Sequence, residues 1–174
     1  MKTLILGGVR SGKSRLAERL AADSGKPVTY IATAMARDDS EMAARIAAHQ
    51  ARRPIGWTLV EEPIALAAAL QAHARSGGCV LVECLTLWLT NLLVDTDAAA
   101  LAREQAALLA ALDELPGDLI LVGNETGMGI VPLGELTRRY CDAAGRLHQD
   151  IAARCERVLL TVAGLPLALK GDLP

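Results

Sequence analysis

Phenylalanine is absent from this sequence of 174 residues, and Tyr30, Trp57, Trp88 and Tyr140 are its only aromatic residues. The core must therefore be aliphatic, and the shortage argues against an aromatic platform for stacking single-stranded bases. No long basic run occurs and the formal net charge is −2, which speaks against nucleic acid as the main partner. Cys79, Cys84, Cys141 and Cys155 form no C-x-x-C pair and show no zinc-ligand spacing. Reduced, buried thiols are the expectation. The longest apolar stretches are broken by Glu83 and Asn91, or by Gly164 and Pro166, so none makes a membrane span. The sequence opens directly on a strand pattern, which leaves no room for a signal peptide and makes a cytoplasmic location the expectation.

What is present is an apolar, patterned chain. Hydrophobic residues make up 52% and charged residues 22%, a balance that supports one globular domain over residues 1–174. Strand patterns cover residues 2–6, 28–33, 57–60, 79–83, 119–123 and 158–162. Most are continuous apolar runs, as in strands covered on both faces. Helical patterns lie between them at residues 13–23, 40–52, 64–74, 97–115 and 133–154. This alternation predicts an α/β three-layer sandwich with a mainly parallel sheet, whose ligands bind at the carboxyl ends of the strands.

The first of those ends carries the most informative motif. Gly7-Gly8-Val9-Arg10-Ser11-Gly12-Lys13-Ser14 follows the strand pattern and precedes a helical one. Gly7 and Gly12 let the backbone curl so that successive N–H groups converge on phosphate oxygens. Lys13 supplies an ammonium to the terminal phosphates and Ser14 a hydroxyl to Mg²⁺. The helix that starts there adds the positive end of its dipole.

Two acids and one histidine extend the site. Glu83 ends an apolar strand pattern and suits the place of the acid near Mg²⁺. Glu125 sits in a glycine-containing loop after another strand pattern, where it is a second candidate acid or a loop carboxylate. Arg45, His49, Arg52 and Arg53 fall along one face of a helical pattern. Like charge keeps such an imidazole neutral and therefore nucleophilic. The arginines would hold a polyphosphate and stabilise charge developing on phosphorus. Read alone, the same segment also fits a solvated basic helix face. His73 and His148 receive structural readings.

Together these residues resemble the bifunctional adenosylcobinamide kinase / adenosylcobinamide-phosphate guanylyltransferase family of cobalamin biosynthesis. The resemblance runs nearly end to end. It rests on the Gly7 to Ser14 loop, Tyr30-Ile-Ala-Thr33, the Glu-Met-x-x-Arg-Ile-x-x-His stretch ending at His49, and Leu87-Trp-Leu-Thr-Asn91. It continues through Asn124-Glu-Thr-Gly-Met-Gly-Ile-Val-Pro132 and Ala163-Gly-Leu-Pro166. It implies a RecA-like P-loop NTPase fold and two reactions. One passes the γ-phosphoryl of ATP or GTP to adenosylcobinamide. The other moves GMP from GTP through a GMP-histidine to adenosylcobinamide phosphate. By the same resemblance His49 is the guanylylated residue. Gly7 to Ser14, Ala32, Thr33, Ala34, Gln50, Ala51, Arg52, Arg53, Glu61, Glu62 and Glu83 are nucleotide contacts, Mg²⁺ binds at Ser14 and Glu83, and the family forms homo-oligomers, usually trimers. Gly123 departs from the Ser or Thr common in relatives. The residues without the resemblance also admit a monofunctional small-molecule kinase, or a nucleotide-binding switch or ATPase subunit.

Overall fold

The computed structural model describes residues 1–35 and 54–174. The helical pattern at 40–52, with Arg45 and His49 in it, lies outside the described residues, as do Gln50, Ala51, Arg52 and Arg53. The described chain forms β1 (Lys2–Gly7), α1 (Lys13–Asp23), β2 (Val28–Ala32), β3 (Thr58–Glu61), α2 (Leu66–His73), β4 (Cys79–Glu83) and α3 (Leu85–Asp95). It continues through α4 (Ala98–Glu114), β5 (Asp118–Asn124), α5 (Glu135–Arg154), β6 (Arg157–Val162) and β7 (Leu165–Lys170).

All seven strands join one sheet in the order β3-β2-β4-β5-β1-β6-β7. Every neighbouring pair is parallel except β6 with β7. Alternate residues of each strand feed two apolar layers. Ile5, Leu81, Ile120 and Val122 pack with Leu16, Ala17 and Ala21 of α1. On the opposite face, Leu4, Val80, Val82 and Leu121 meet Leu70 of α2, Trp88 and Leu92 of α3, Leu108 and Leu112 of α4, and Leu147 and Ile151 of α5. The predicted three-layer α/β architecture is the one observed, and its core is aliphatic apart from Trp88 and Tyr30. Burying an aliphatic side chain of this size contributes about 1.5–3 kcal/mol, so α2 to α5 are fixed by their apolar faces more than by helix propensity.

Helix ends follow local chemistry. Asp97 caps α4, its Oδ1 accepting from the Ala100 N–H at 2.7 Å, which satisfies one donor that the first turn cannot pair internally. The Glu62 carboxylate accepts from the Ile64 and Ala65 N–H groups at 2.9 and 2.8 Å and turns the chain from β3 into α2. All four cysteines are free thiols. Burial raises Cys79, Cys84 and Cys155 to about 11, so these thiols stay protonated near neutral pH. Among the described residues no helix is long and apolar enough to cross a membrane.

Candidate functional site

β1 delivers the chain to the site at Gly7, and α1 starts at Lys13. In the intervening turn Arg10 and Gly12 take positive φ values of 57° and 98°. The Ser11 N–H donates to Gly8 O at 3.2 Å and the Leu16 N–H to Gly12 O at 3.0 Å. Lys13 is buried and folds back over the turn, Nζ donating to Gly8 O at 3.1 Å. A Cβ on Gly7 would stand 2.6 Å from the Thr161 carbonyl oxygen, and one on Gly12 3.0 Å from Gly164 Cα. Only glycine fits either place.

The loop is braced from two sides. The Gly164 N–H, in the turn between β6 and β7, donates to Ser11 O at 2.8 Å. The Glu125 N–H, just past β5, donates to Gly7 O at 3.0 Å. A loop held this way keeps its concavity before any ligand arrives, which lowers the ordering cost of binding.

Glu83 ends β4 on the α1 face of the sheet, because Cys79 and Leu81, two and four residues earlier, pack on that face. Ser14, in the first turn of α1, points the other way into the same gap. Its Oγ donates to Glu83 Oε1 at 2.9 Å. The two candidate Mg²⁺ ligands are thus adjacent. Their oxygens are the hard donors Mg²⁺ takes, and one carboxylate plus one hydroxyl beside a phosphate loop suits an ion that keeps waters and shares substrate oxygens. No cluster of three or more His, Cys, Asp or Glu side chains able to hold a metal occurs among the described residues.

Ala32 and Thr33 lie beside Glu83. Ala32 pairs with Glu83 in register, and the Thr33 N–H donates to Glu83 O at 3.0 Å. Thr33 is fully buried. Its Oγ1 accepts from the Cys84 N–H at 2.9 Å and donates to Cys84 O at 2.8 Å. Asn91, also buried, donates to Thr33 O at 2.8 Å and Pro63 O at 3.2 Å. These bonds lock the crossover out of β4 against the end of β2. Ala34 is half-buried and follows directly. Glu61 pairs with Ala32 and is exposed, and the Glu62 N–H donates to Ala32 O at 2.9 Å. The Glu62 carboxylate itself is committed to the α2 turn. Of the predicted contacts, Gly7 to Ser14, Ala32, Thr33 and Glu83 lie at the carboxyl end of the sheet, at or just beyond the ends of β1, β2 and β4, with Glu61 and Glu62 at the end of β3.

The loop after β5 and the helix under it complete the same end of the sheet. The Asn124 N–H donates to Thr86 Oγ1 at 2.8 Å. The Glu125 carboxylate accepts from the Gly127 N–H at 2.6 Å, which gives it a loop-closing job. His148 of α5 is buried under this loop, its Nε2 3.0 Å from where a Cβ of residue 123 would stand. A serine or threonine at Gly123 would crowd it and require the imidazole to shift by a few tenths of an ångström. Burial holds His148 below the usual histidine range, with the charge of Glu125 opposing. Burial likewise pushes Tyr140 up to about 12. Beyond Glu125 the loop exposes Met128, Ile130, Val131 and Leu133.

Comparison with known proteins follows the same outline. Residues 3–169 match the family described as cobinamide kinase / cobinamide phosphate guanyltransferase. The chain is 66% identical over 172 residues to the bifunctional adenosylcobalamin biosynthesis protein CobP of Pseudomonas aeruginosa, covering 99% of each chain. It is 42% identical over 183 residues to the bifunctional adenosylcobalamin biosynthesis protein CobU of Escherichia coli K12, covering 98% of this chain and all of the relative. In fold it is similar to the RadB recombinase, with a TM-score of 0.53 at 17% identity, covering 91% of this chain and 73% of the other. That likeness shows a RecA-like P-loop NTPase fold.

Proposed function

The chain belongs to the cobinamide kinase / cobinamide phosphate guanyltransferase family, and from that premise we propose that it carries out both reactions of the family on one phosphate loop. The observation that carries the reading is the 2.9 Å contact of Ser14 with Glu83 at the mouth of the Gly7 to Ser14 loop. This is the arrangement a triphosphate site requires of its metal-binding hydroxyl and acid.

In the kinase reaction the acceptor hydroxyl of adenosylcobinamide bonds to the γ-phosphorus of ATP or GTP. The β–γ bridging oxygen leaves with the bonding pair on the nucleoside diphosphate, and the hydroxyl proton is released. Loop N–H groups and Lys13 hold the phosphates and spread their charge, so the protein contributes mainly position and electrostatics. Ser14 and Glu83 would hold Mg²⁺, which would neutralise phosphate charge when bound. Ala32, Thr33, Ala34, Glu61 and Glu62 border the nucleotide at the end of β2 and β3.

In the second reaction the neutral imidazole of His49 bonds to the α-phosphorus of GTP. Pyrophosphate leaves with the electron pair, steadied by the same loop. Gln50, Ala51, Arg52 and Arg53 accompany His49 in contacting nucleotide. A phosphate oxygen of adenosylcobinamide phosphate then displaces the imidazole and takes GMP, giving adenosylcobinamide-GDP. The enzyme acts in the cytoplasm as a homo-oligomer, a trimer by likeness to its family.

Incubation of the protein with adenosylcobinamide, Mg²⁺ and GTP tests the reading by product mass. The corrinoid should gain one phosphate and then one GMP. GTP hydrolysis that leaves the corrinoid unchanged would favour a switch or ATPase, and phosphorylation without GMP transfer a kinase alone.

A further inference from the structure

The loop from β5 to α5 carries no charged side chain over residues 126–134. Most of what it carries instead is apolar and open to solvent among the described residues. Met128 is 77% exposed, Ile130 97%, Val131 73% and Leu133 97%, and Leu136 in the first turn of α5 is half exposed. Single apolar residues on a surface are ordinary. Four within six residues, joined by a fifth three residues on, make a continuous face, and such a face marks a place where something binds.

The backbone beneath this face is tied at both ends. At the start, the Glu125 N–H donates to Gly7 O at 3.0 Å, and the Glu125 carboxylate accepts from the Gly127 N–H at 2.6 Å. At the far end, Arg138 Nη1 donates to Pro132 O at 3.2 Å and also to Leu133 O. With these carbonyls satisfied, the loop offers apolar side chains rather than unpaired backbone. The first tie is to the phosphate loop itself, so the face begins within a few residues of the triphosphate site. Between the loop and α5 lies a concavity of about 350 Å³, lined by Ile130, Val131 and Pro132 and, on its polar side, by Thr126, Arg138 and Asp142. It has room for an arm of a large molecule and none for a macrocycle.

An acceptor of phosphoryl or GMP must meet phosphorus beside Gly7 to Ser14 while the rest of it stays outside the nucleotide site. For a corrinoid that rest is most of the molecule, a broad macrocycle edged with methyl groups and neutral carboxamide arms. An uncharged apolar face with a polar-sided notch, joined directly to the phosphate loop, matches it in chemistry and in place. Resting on the kinase and guanylyltransferase reading above, we infer that Met128, Ile130, Val131, Leu133 and Leu136 form the docking face for the corrinoid acceptor, with the macrocycle packed across them and a carboxamide arm in the concavity beside Thr126 and Asp142. Both acceptors carry the same macrocycle, so the face acts in both reactions, and it acts through binding. Uptake of GMP by the enzyme from GTP alone involves no corrinoid and is independent of it.

The test measures kcat and KM in wild type, Ile130→Ser, Leu133→Ser, the double variant, the conservative Ile130→Val, and Leu169→Ser on the edge strand β7, whose leucine is likewise exposed. Adenosylcobinamide and, separately, its phosphate serve as acceptors. Losing the burial of one aliphatic side chain weakens binding by about tenfold. The expected result is such a rise in KM for both acceptors in each serine variant and a larger rise in the double variant. Ile130→Val and Leu169→Ser should stay near wild type. In every variant kcat, KM for GTP and the α-phosphorus label taken from GTP alone should be kept, the pattern of lost binding rather than lost chemistry. Equilibrium dialysis of adenosylcobinamide should show Kd rising with KM, and sedimentation should show the same assembly as wild type. Unchanged KM for the acceptors, a rise for only one of them, a loss confined to kcat, or an equal rise in Leu169→Ser would overturn the inference. So would serine variants that sediment as smaller species, which would make the face an interface between copies. A wild type that transfers neither phosphate nor GMP to the corrinoid fails the functional reading instead.

Discussion

Ser14 Oγ donates to Glu83 Oε1 at 2.9 Å across 69 residues of sequence. The bond joins the first turn of α1 to the carboxyl end of β4. Under the proposed function the same two oxygens would serve one Mg²⁺ ion. Ser14→Ala and Glu83→Gln should each lower both activities by about 10²-fold and move the Mg²⁺ dependence to higher concentration. Mg²⁺ titrations of initial rate at saturating GTP check this. Unchanged Mg²⁺ dependence in both variants would remove the pair from the metal site.

Gly7→Ala should fail for a geometric reason. Its Cβ would stand 2.6 Å from Thr161 O, a backbone atom of β6 that cannot turn aside. The loop must shift, and the expected outcome is loss of GTP affinity by tenfold or more, order of magnitude only. Calorimetric titration with GTP measures it. Gly145→Ala in α5, outside the loop, is the control, since nothing lies within 4 Å of a Cβ there.

Asn91→Leu removes the donor to the buried Thr33 O and to the part-buried Pro63 O. Each unpaired group costs about 1–3 kcal/mol. Denaturant unfolding should show a loss of about 2–4 kcal/mol. Because Thr33 also holds the Cys84 backbone, activity should fall with stability rather than before it.

His148 links pH to stability. Burial depresses its folded value below the ordinary 6.5. The unfolded chain therefore takes up a proton at a pH where the folded chain does not. Between the folded value and about 6.5, the unfolded state binds more protons, so stability falls as pH falls through that window and is unaffected above it. Thermal midpoints measured from pH 7.5 downward should drop more for wild type than for His148→Gln. Parallel curves would assign the acid sensitivity elsewhere.

The elements that were legible in sequence are those whose apolar pattern had one period and polar ends. The continuous run of β5 is of this kind, as is the helical spacing of Leu136, Tyr140, Ala143, Leu147 and Ile151 in α5. Two elements were not. α3 (Leu85–Asp95) is apolar nearly all round, buries Leu85, Trp88, Leu89 and Leu92, and begins directly after β4 with no side-chain cap. Neither period nor cap marked it. β7 (Leu165–Lys170) contains Pro166 and carries exposed Leu165, Leu167 and Leu169. It forms because Ala163 and Gly164, with φ of 51° and 81°, reverse the chain into a hairpin. The same turn braces Ser11, a long-range contact that local pattern cannot carry.

The site divides in the same way. The turn from β1 into α1 and the place of Glu83 at the end of β4 were readable because a glycine-punctuated spacing and an apolar run ending in an acid mark them in the sequence. The competing use of Glu62 and Glu125 as turn-closing carboxylates depended on which N–H groups the fold placed beside them.

The central claim is that one phosphate loop serves both γ-phosphoryl transfer and a histidine that takes GMP. The most direct measurement incubates wild type and His49→Ala with GTP labelled at the α-phosphorus, and follows label on the denatured protein. The account predicts label on wild type that is lost in acid and retained in base, no label on His49→Ala, and kinase activity retained in both. Label that persists in His49→Ala, or a wild type that never labels while transferring GMP, would contradict it.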